Sequence, residues 1–371
     1  MKKLLLLLFF ISMSMLYSQQ LEITQVDRDI ISLTFNGDWQ KADSIVTVEL
    51  EKNPNNPKYH FLKTYVMFYS RSFNENGPRR DYIIRLTKHL AWKGIRIAEN
   101  LPPTTENKFY LGYLYSFLCR ANIMEQEYWI AYWNASKCQD YLEEVIEEDP
   151  SNNDAYFALA VIEYFPDAMV TGFRSFLAWL GGMSGDKEKG MQYFRLVANN
   201  GNMFKDEAKL GLGIIYRIDE DYEKSLERMT ELYAKYPNNY LVKYFYKSNR
   251  LISFINNNGV MFLEEEYNDL REKYDIETAR DLNAVGYAFM SSEKMDVAYT
   301  VFNTNLRLFP EAANCYDSFA EWYYRKGDNP NAIKYYQLAY DKLPADTTYN
   351  AEYKPIRMQQ IQDRLNELRD Q

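Results

Sequence analysis

The chain carries only two histidines, His60 and His89, and three cysteines, Cys119, Cys138 and Cys315. The histidines lie outside any metal-spaced motif, so neither a zinc site nor a Cys–His pair is expected. Three cysteines cannot complete a disulfide framework. Cys119 and Cys138 fall near the end of one predicted helix and well inside the next, an offset too long to bridge, and all three read as small core residues. Carboxylates crowd at Glu143, Glu144, Glu147, Glu148 and Asp149, and again at Glu264, Glu265 and Glu266. Paired carboxylates can move protons. Here they alternate with Val145, Ile146 or Tyr267, the pattern of a solvated helix face. No D-x-[DN]-x-[DN]-G calcium loop occurs. Neither a dinucleotide fingerprint, nor a phosphate loop, nor a G-x-S-x-G elbow is present. The Gly-rich stretch Gly181-Gly182-Met183-Ser184-Gly185 lacks the lysine of a phosphate loop and reads as a helix-start turn. No catalytic residue, metal or cofactor is therefore expected.

Whatever positions the remaining side chains is helical. The 371 residues include only 15 Gly and 12 Pro, about 4% and 3% against usual values of roughly 7% and 5%. So few breakers favour long helices over a turn-rich β-sandwich. Aromatic residues make up 16% of the chain, enough to fill a large core. Length alone suggests two or three domains. The net charge is −9, and becomes −11 once Lys2 and Lys3 are removed with a leader. An acidic chain repels phosphate backbones, so neither nucleic acid nor an anionic membrane surface is an expected partner.

Residues 1–18, MKKLLLLLFFISMSMLYS, have the layout of a secretory signal peptide. Lys2 and Lys3 form the basic start, Leu4 to Ile11 the apolar run, and Ser18 a small residue at the cut. The run is shorter than the roughly 20 residues of a membrane span. No cysteine follows it to accept a lipid, and no later stretch is long enough to cross a bilayer. The expectation is an exported, soluble protein of the periplasm or secreted from the cell.

A repeat organises the rest. Val285, Gly286, Phe289, Ala298, Phe302 and Pro310 recur 34 residues later as Phe319, Ala320, Tyr323, Ala332, Tyr336 and Pro344. Leu212, Gly213, Tyr216, Ser225, Met229 and Pro237 keep the same internal spacing. Each set predicts two antiparallel helices. The small residue lets them cross closely, the aromatic is a knob on the second helix, and the proline ends it. These residues resemble the tetratricopeptide repeat (TPR), strongly over 279–346, well over 206–239, and in degenerate form elsewhere. The resemblance implies an all-α fold, a right-handed α-solenoid of stacked helix pairs over residues 19–349. Residues 350–371 would cap it through a stripe of Met358, Ile361, Leu365 and Leu368.

In that family the first helices of the pairs line a concave wall that binds other proteins. Carried onto this chain, the wall includes Arg217, Asn283, Tyr287, Met290, Asp317, Glu321 and Tyr324. Some members hold a C-terminal carboxylate there, but Asp317 and Glu321 would repel one. A second candidate surface is the insertion at residues 165–185, where Phe173, Phe176 and Trp179 put apolar bulk that a repeat does not need. It could seat a partner or touch a membrane interface. The expected function is a non-enzymatic scaffold binding protein partners in the cell envelope. Glycan or small-molecule binding on the aromatic wall, and an accessory role beside a periplasmic transporter, remain open alternatives.

Overall fold

The computed structural model describes residues 21–71, 78–165 and 185–370. Among them are eighteen helices and one 3₁₀ turn, and no strand. The first eight helices are α1 (Gln25–Asn36), α2 (Trp39–Lys52), α3 (Pro57–Arg71), α4 (Pro78–Glu99), α5 (Thr105–Met124), α6 (Tyr128–Glu148), α7 (Tyr156–Tyr164) and α8 (Lys187–Asn200). They are followed by α9 (Lys205–Ile218), α10 (Tyr222–Lys235), α11 (Tyr240–Asn258) and the single-turn α12 (Phe262–Glu265) and α13 (Leu270–Lys273). The last five are α14 (Ala279–Ser291), α15 (Met295–Leu308), α16 (Ala313–Arg325), α17 (Asn329–Lys342) and α18 (Lys354–Arg369). The leader at 1–18 lies outside the described residues. So does the insertion with Phe173, Phe176 and Trp179, apart from its end residues Phe165 and Gly185.

Local chemistry sets where helices begin and end. Thr24 and Asp27 form a capping box at the start of α1, which satisfies amide groups the helix leaves unbonded. Gly37 ends it in the left-handed region at φ 91°, where the Asp38 amide donates back to Leu33 O at 2.8 Å, a cap that any Cβ would strain. Leu308 and Lys342 close the second helices of the two C-terminal repeats, each with its proline two residues on.

Consecutive helices pack as antiparallel pairs, as the 34-residue spacing predicts. Gly286 of α14 lies under the ring of Phe302 of α15, where an added Cβ would overlap it. Gly112 of α5 faces Leu142 of α6 at 2.7 Å from where its Cβ would stand. The knobs Phe302 and Tyr336 are buried, as are Val285, Phe289, Phe319, Ala298 and Ala332. Each large apolar side chain taken out of water contributes about 1.5–3 kcal/mol.

The helices divide into two compact units. The first holds the described residues up to 71, then 79–212 and 235–239. The second holds Pro78, 213–234 and the described residues from 240 onward. In the first unit α5 is central: fourteen of its twenty residues are buried, on every side of the helix, as befits a helix that is apolar all round. In the second, one core runs from Leu251 through Leu263, Leu282, Val285 and Phe302 to Phe319. A further cluster joins Ala320, Tyr336 and Leu343 to Ile361, Leu365 and Leu368 of α18.

Candidate functional site

The three cysteines and His60 are locked into the framework, whereas His89 is exposed. Cys119, Cys138 and Cys315 are free and buried. Burial raises the Cys119 and Cys315 thiols to about 12 and also pushes up that of Cys138, so none is an available thiolate. His60 is buried, and its Nε2 donates to the Pro54 carbonyl at 2.7 Å. Desolvation lowers its pKa. Among the described residues no group of three or more His, Cys, Asp or Glu could hold a metal ion.

The most perturbed carboxyl is one that sequence inspection did not single out. Glu207 of α9 is buried and accepts a short hydrogen bond from the hydroxyl of Tyr65 on α3. Desolvation raises it to about 8, so it is largely protonated at neutral pH. It lies at the edge of a cavity of about 250 Å³ whose lining includes Arg28, Lys205, Asp206, Lys235 and Tyr236. Several of these groups already engage one another: Lys235 Nζ (2.7 Å) and the Tyr236 hydroxyl (2.6 Å) both donate to Asp206. Nothing in the sequence links Tyr65 to Glu207, which are 142 positions apart.

The first-helix face of the first unit is filled by its own aromatic side chains. Phe61 and Tyr65 of α3 meet Tyr110, Tyr113 and Phe117 of α5. Phe204, just before α9, stacks on Tyr113 at 4.4 Å and on Phe157 at 5.1 Å. Asp154 fixes Phe204 in place. Its Oδ1 accepts the backbone amides of Met203 and Phe204 at 3.0 Å, while the Tyr113 hydroxyl donates to Asp154 O at 2.5 Å. At its other end α1 closes on the same unit, with Phe35 edge-on to Tyr236 and Asn239 Nδ2 donating to Phe35 O at 2.5 Å.

The wall residues expected from the repeat lie in the second unit. Asn283, Tyr287, Asp317, Glu321 and Tyr324 come from the successive first helices α14 and α16. Asn305 Nδ2 donates to Asn283 Oδ1 at 2.7 Å. Burial raises the Tyr287 phenol to about 12, and Ser318 nearby offsets part of that rise. Asp317 is ion-paired with Arg357 of α18. Desolvation outweighs that partner and raises its pKa. Glu321 accepts from the Tyr336 hydroxyl at 2.9 Å and from Arg325 at 3.1 Å. Arg364 of α18 sits 5.0 Å over the Tyr324 ring, a cation–π distance.

Two of the expected residues are engaged within the second unit itself. Met290 is only 3% exposed and belongs to the core with Phe289 and Val301. Arg217 is a strut: it donates to Ser248 at 3.1 Å and to Asn249 on α11, and to the Ala284 carbonyl on α14 at 3.4 Å. Sequence spacing missed both Arg357 and Arg364, because they belong to α18 rather than to a repeat.

No family model and no curated protein matches the sequence. Solved structures of similar backbone include a chain of the APC/C Cut9–Hcn1 hetero-tetramer, 14% identical over 91% of this chain and 54% of that one, with a TM-score of 0.42. Human IFIT1, solved as a dimer with PPP-AAAA, is 13% identical over 84% of this chain and 70% of its own, at 0.32. PilF of Pseudomonas aeruginosa is 14% identical over 69% of this chain and 88% of its own, at 0.28. The chain thus spans about half the length of the Cut9–Hcn1 chain.

Proposed function

We propose that the protein is a non-catalytic scaffold of the cell envelope that holds a protein segment against the first-helix face of its second unit. The observation that carries this reading is the row of polar and aromatic side chains there, held half-buried by neighbours: Asn283 by Asn305, Tyr287 by Phe302, Glu321 by Tyr336. Groups fixed before a ligand arrives lose little side-chain entropy on binding. Tyrosine adds contact area with few rotamers to freeze. An acidic row beside a chain of net charge −9 favours a protein over a nucleic acid as partner. The leader at residues 1–18 supports export, and no described helix is long and apolar enough to cross a membrane.

The test places a photo-cross-linking phenylalanine derivative at position 324 or 287 of the protein in living cells. The expected result is one discrete set of protein adducts from both positions, absent when the same derivative stands at the solvent-facing position 195. Adducts equal to that control, or none, would contradict the reading.

A further inference from the structure

The cavity beside Glu207 is lined entirely by residues of the first unit. Part of its lining is apolar and out of water: Ile31 and Phe35 of α1 and Met203 before α9 are buried. Glu207 belongs to this inner lining and is only 5% exposed. The outer lining is charged, with Arg28 and Asp29 of α1 and Lys235 at the end of α10 exposed, and Lys205 of α9 half-buried. A void of about 150 Å³ takes up a benzene molecule, so 250 Å³ has room for roughly ten non-hydrogen atoms. Apolar walls with a few converging polar groups are the usual makeup of a small-molecule site.

The charges around the cavity do not cancel. Lys235 is matched by Asp206 at 2.7 Å. Arg28 Nε donates to Gln25 Oε1 at 3.4 Å and Lys205 Nζ to the Asn199 carbonyl at 2.9 Å. Neither cation forms an ion pair among the described residues. Against these two stands Asp29, whose Oδ1 accepts from Gln25 at 2.8 Å. A local excess of cation in a chain of net charge −9 draws an anion to this place. Glu207 supplies a donor for it. Its Oε1 accepts from the Tyr65 hydroxyl, so the proton of the neutral acid belongs on Oε2. Apart from Tyr65 and its own amide, Glu207 has no hydrogen-bond partner among the described residues. A proton held there is satisfied by an acceptor that enters the cavity.

We propose that this cavity binds a small organic monocarboxylate, its apolar body on Ile31, Phe35 and Met203 and its carboxylate hydrogen-bonded to Glu207 in the field of Arg28 and Lys205. A hydrogen bond between an acid and a carboxylate is charge-assisted and stronger than a neutral one. A cationic ligand meets the two unmatched cations, and a neutral isostere gains nothing from them. The cavity belongs to the first unit and stands independently of the surface proposed for the second.

The test uses the full chain and ligand-observed saturation-transfer NMR. The probes are two monocarboxylates, phenylacetate and hexanoate, and two isosteres of the first, phenylacetamide and phenethylammonium. A carboxylate is expected to bind with a Kd of about 1 mM or tighter, the amide and the ammonium at least about tenfold weaker. Arg28→Glu/Lys205→Glu should weaken the carboxylate about tenfold or more, with far-UV circular dichroism unchanged. The groups around Glu207 are Tyr65, Asp154, Lys205, Asp206, Lys235 and Tyr236, with Arg28 and Asp29 across the cavity. The phenols of Tyr65 and Tyr236 are raised by burial and keep their protons to pH 9. Glu207, raised to about 8, gives up its own between pH 7 and 9, so the parent's affinity should fall about tenfold over that range. Glu207→Gln keeps a donor that does not ionise and should flatten the profile. Neither carboxylate binding at about 10 mM would overturn the proposal. So would an amide or ammonium bound as tightly as the carboxylate, or affinity unchanged in Arg28→Glu/Lys205→Glu. A parent pH profile identical to that of Glu207→Gln would do the same.

Discussion

The two units use the same pairing device and differ in what their first helices show to one another. In both, a small residue on the first helix admits a knob from the second: Gly112 for Leu142 in one unit, Gly286 for Phe302 in the other. In the first unit those first helices carry a second apolar face. Tyr65, Tyr110 and Tyr113 are among its largest fully buried side chains, packed with Phe61 and Phe204. In the second unit the equivalent face bears Asn283, Tyr287, Asp317 and Glu321; Asn283 is tied to Asn305, Asp317 to Arg357 of α18 and Glu321 to Tyr336. Only in the second unit does that second face stay polar and partly open. Where it is aromatic, the wall becomes core.

The sharpest way to break this contrast is truncation. Tyr113→Ala or Phe204→Ala should destabilise the protein by about 3–5 kcal/mol, the usual cost of emptying an aromatic core position, read as a shift in denaturant midpoint. A pH titration of stability comes next. Glu207, raised to about 8 in the fold, keeps its proton over a range where the unfolded chain has lost it. Its contribution is therefore present below about pH 4.5 and is lost progressively as pH rises through 8, on the order of 5 kcal/mol in all. Glu207→Gln should remove that slope and leave the variant more stable than the parent at pH 8–9.

Smaller effects probe the second unit. Arg357→Ala leaves Asp317, 9% exposed, without its partner and should cost roughly 1–2 kcal/mol, less than a fully buried pair because the arginine is partly in water. Asp317→Asn in that background should restore most of it. Tyr110→Phe deletes a buried hydroxyl with no hydrogen-bond partner and should stabilise by about 1 kcal/mol. Tyr324→Ala, on the wall rather than in a core, should change stability by no more than about 0.5 kcal/mol, while weakening capture of a partner.

The pairing of helices was legible because it rests on local spacing. Gly286, Ala298, Phe302 and Pro310 state where two helices cross and where the second one ends. The filled interior of the first unit was not legible. It depends on Phe204 and Glu207 meeting residues of α3 and α5 more than eighty positions away in the sequence, and no spacing rule encodes such meetings. A signal did exist in α5, where Tyr110, Tyr113 and Phe117 make the helix apolar on a side that pairing with α6 does not require. Met290 was misplaced for a related reason: its register suits the wall, but a long apolar side chain there turns into the core. Arg357 and Arg364 were out of reach because a capping helix carries no repeat spacing from which to number its contacts.

The most direct test of the contrast is residue-resolved hydroxyl-radical footprinting of the intact protein. Tyr110, Tyr113 and Phe204 should be protected to background, while Tyr287 and Tyr324 show partial oxidation and the exposed Tyr240 strong oxidation. Oxidation of Tyr113 and Phe204 at the level of Tyr324 would mean that the first unit also keeps an open wall, and the account would be wrong.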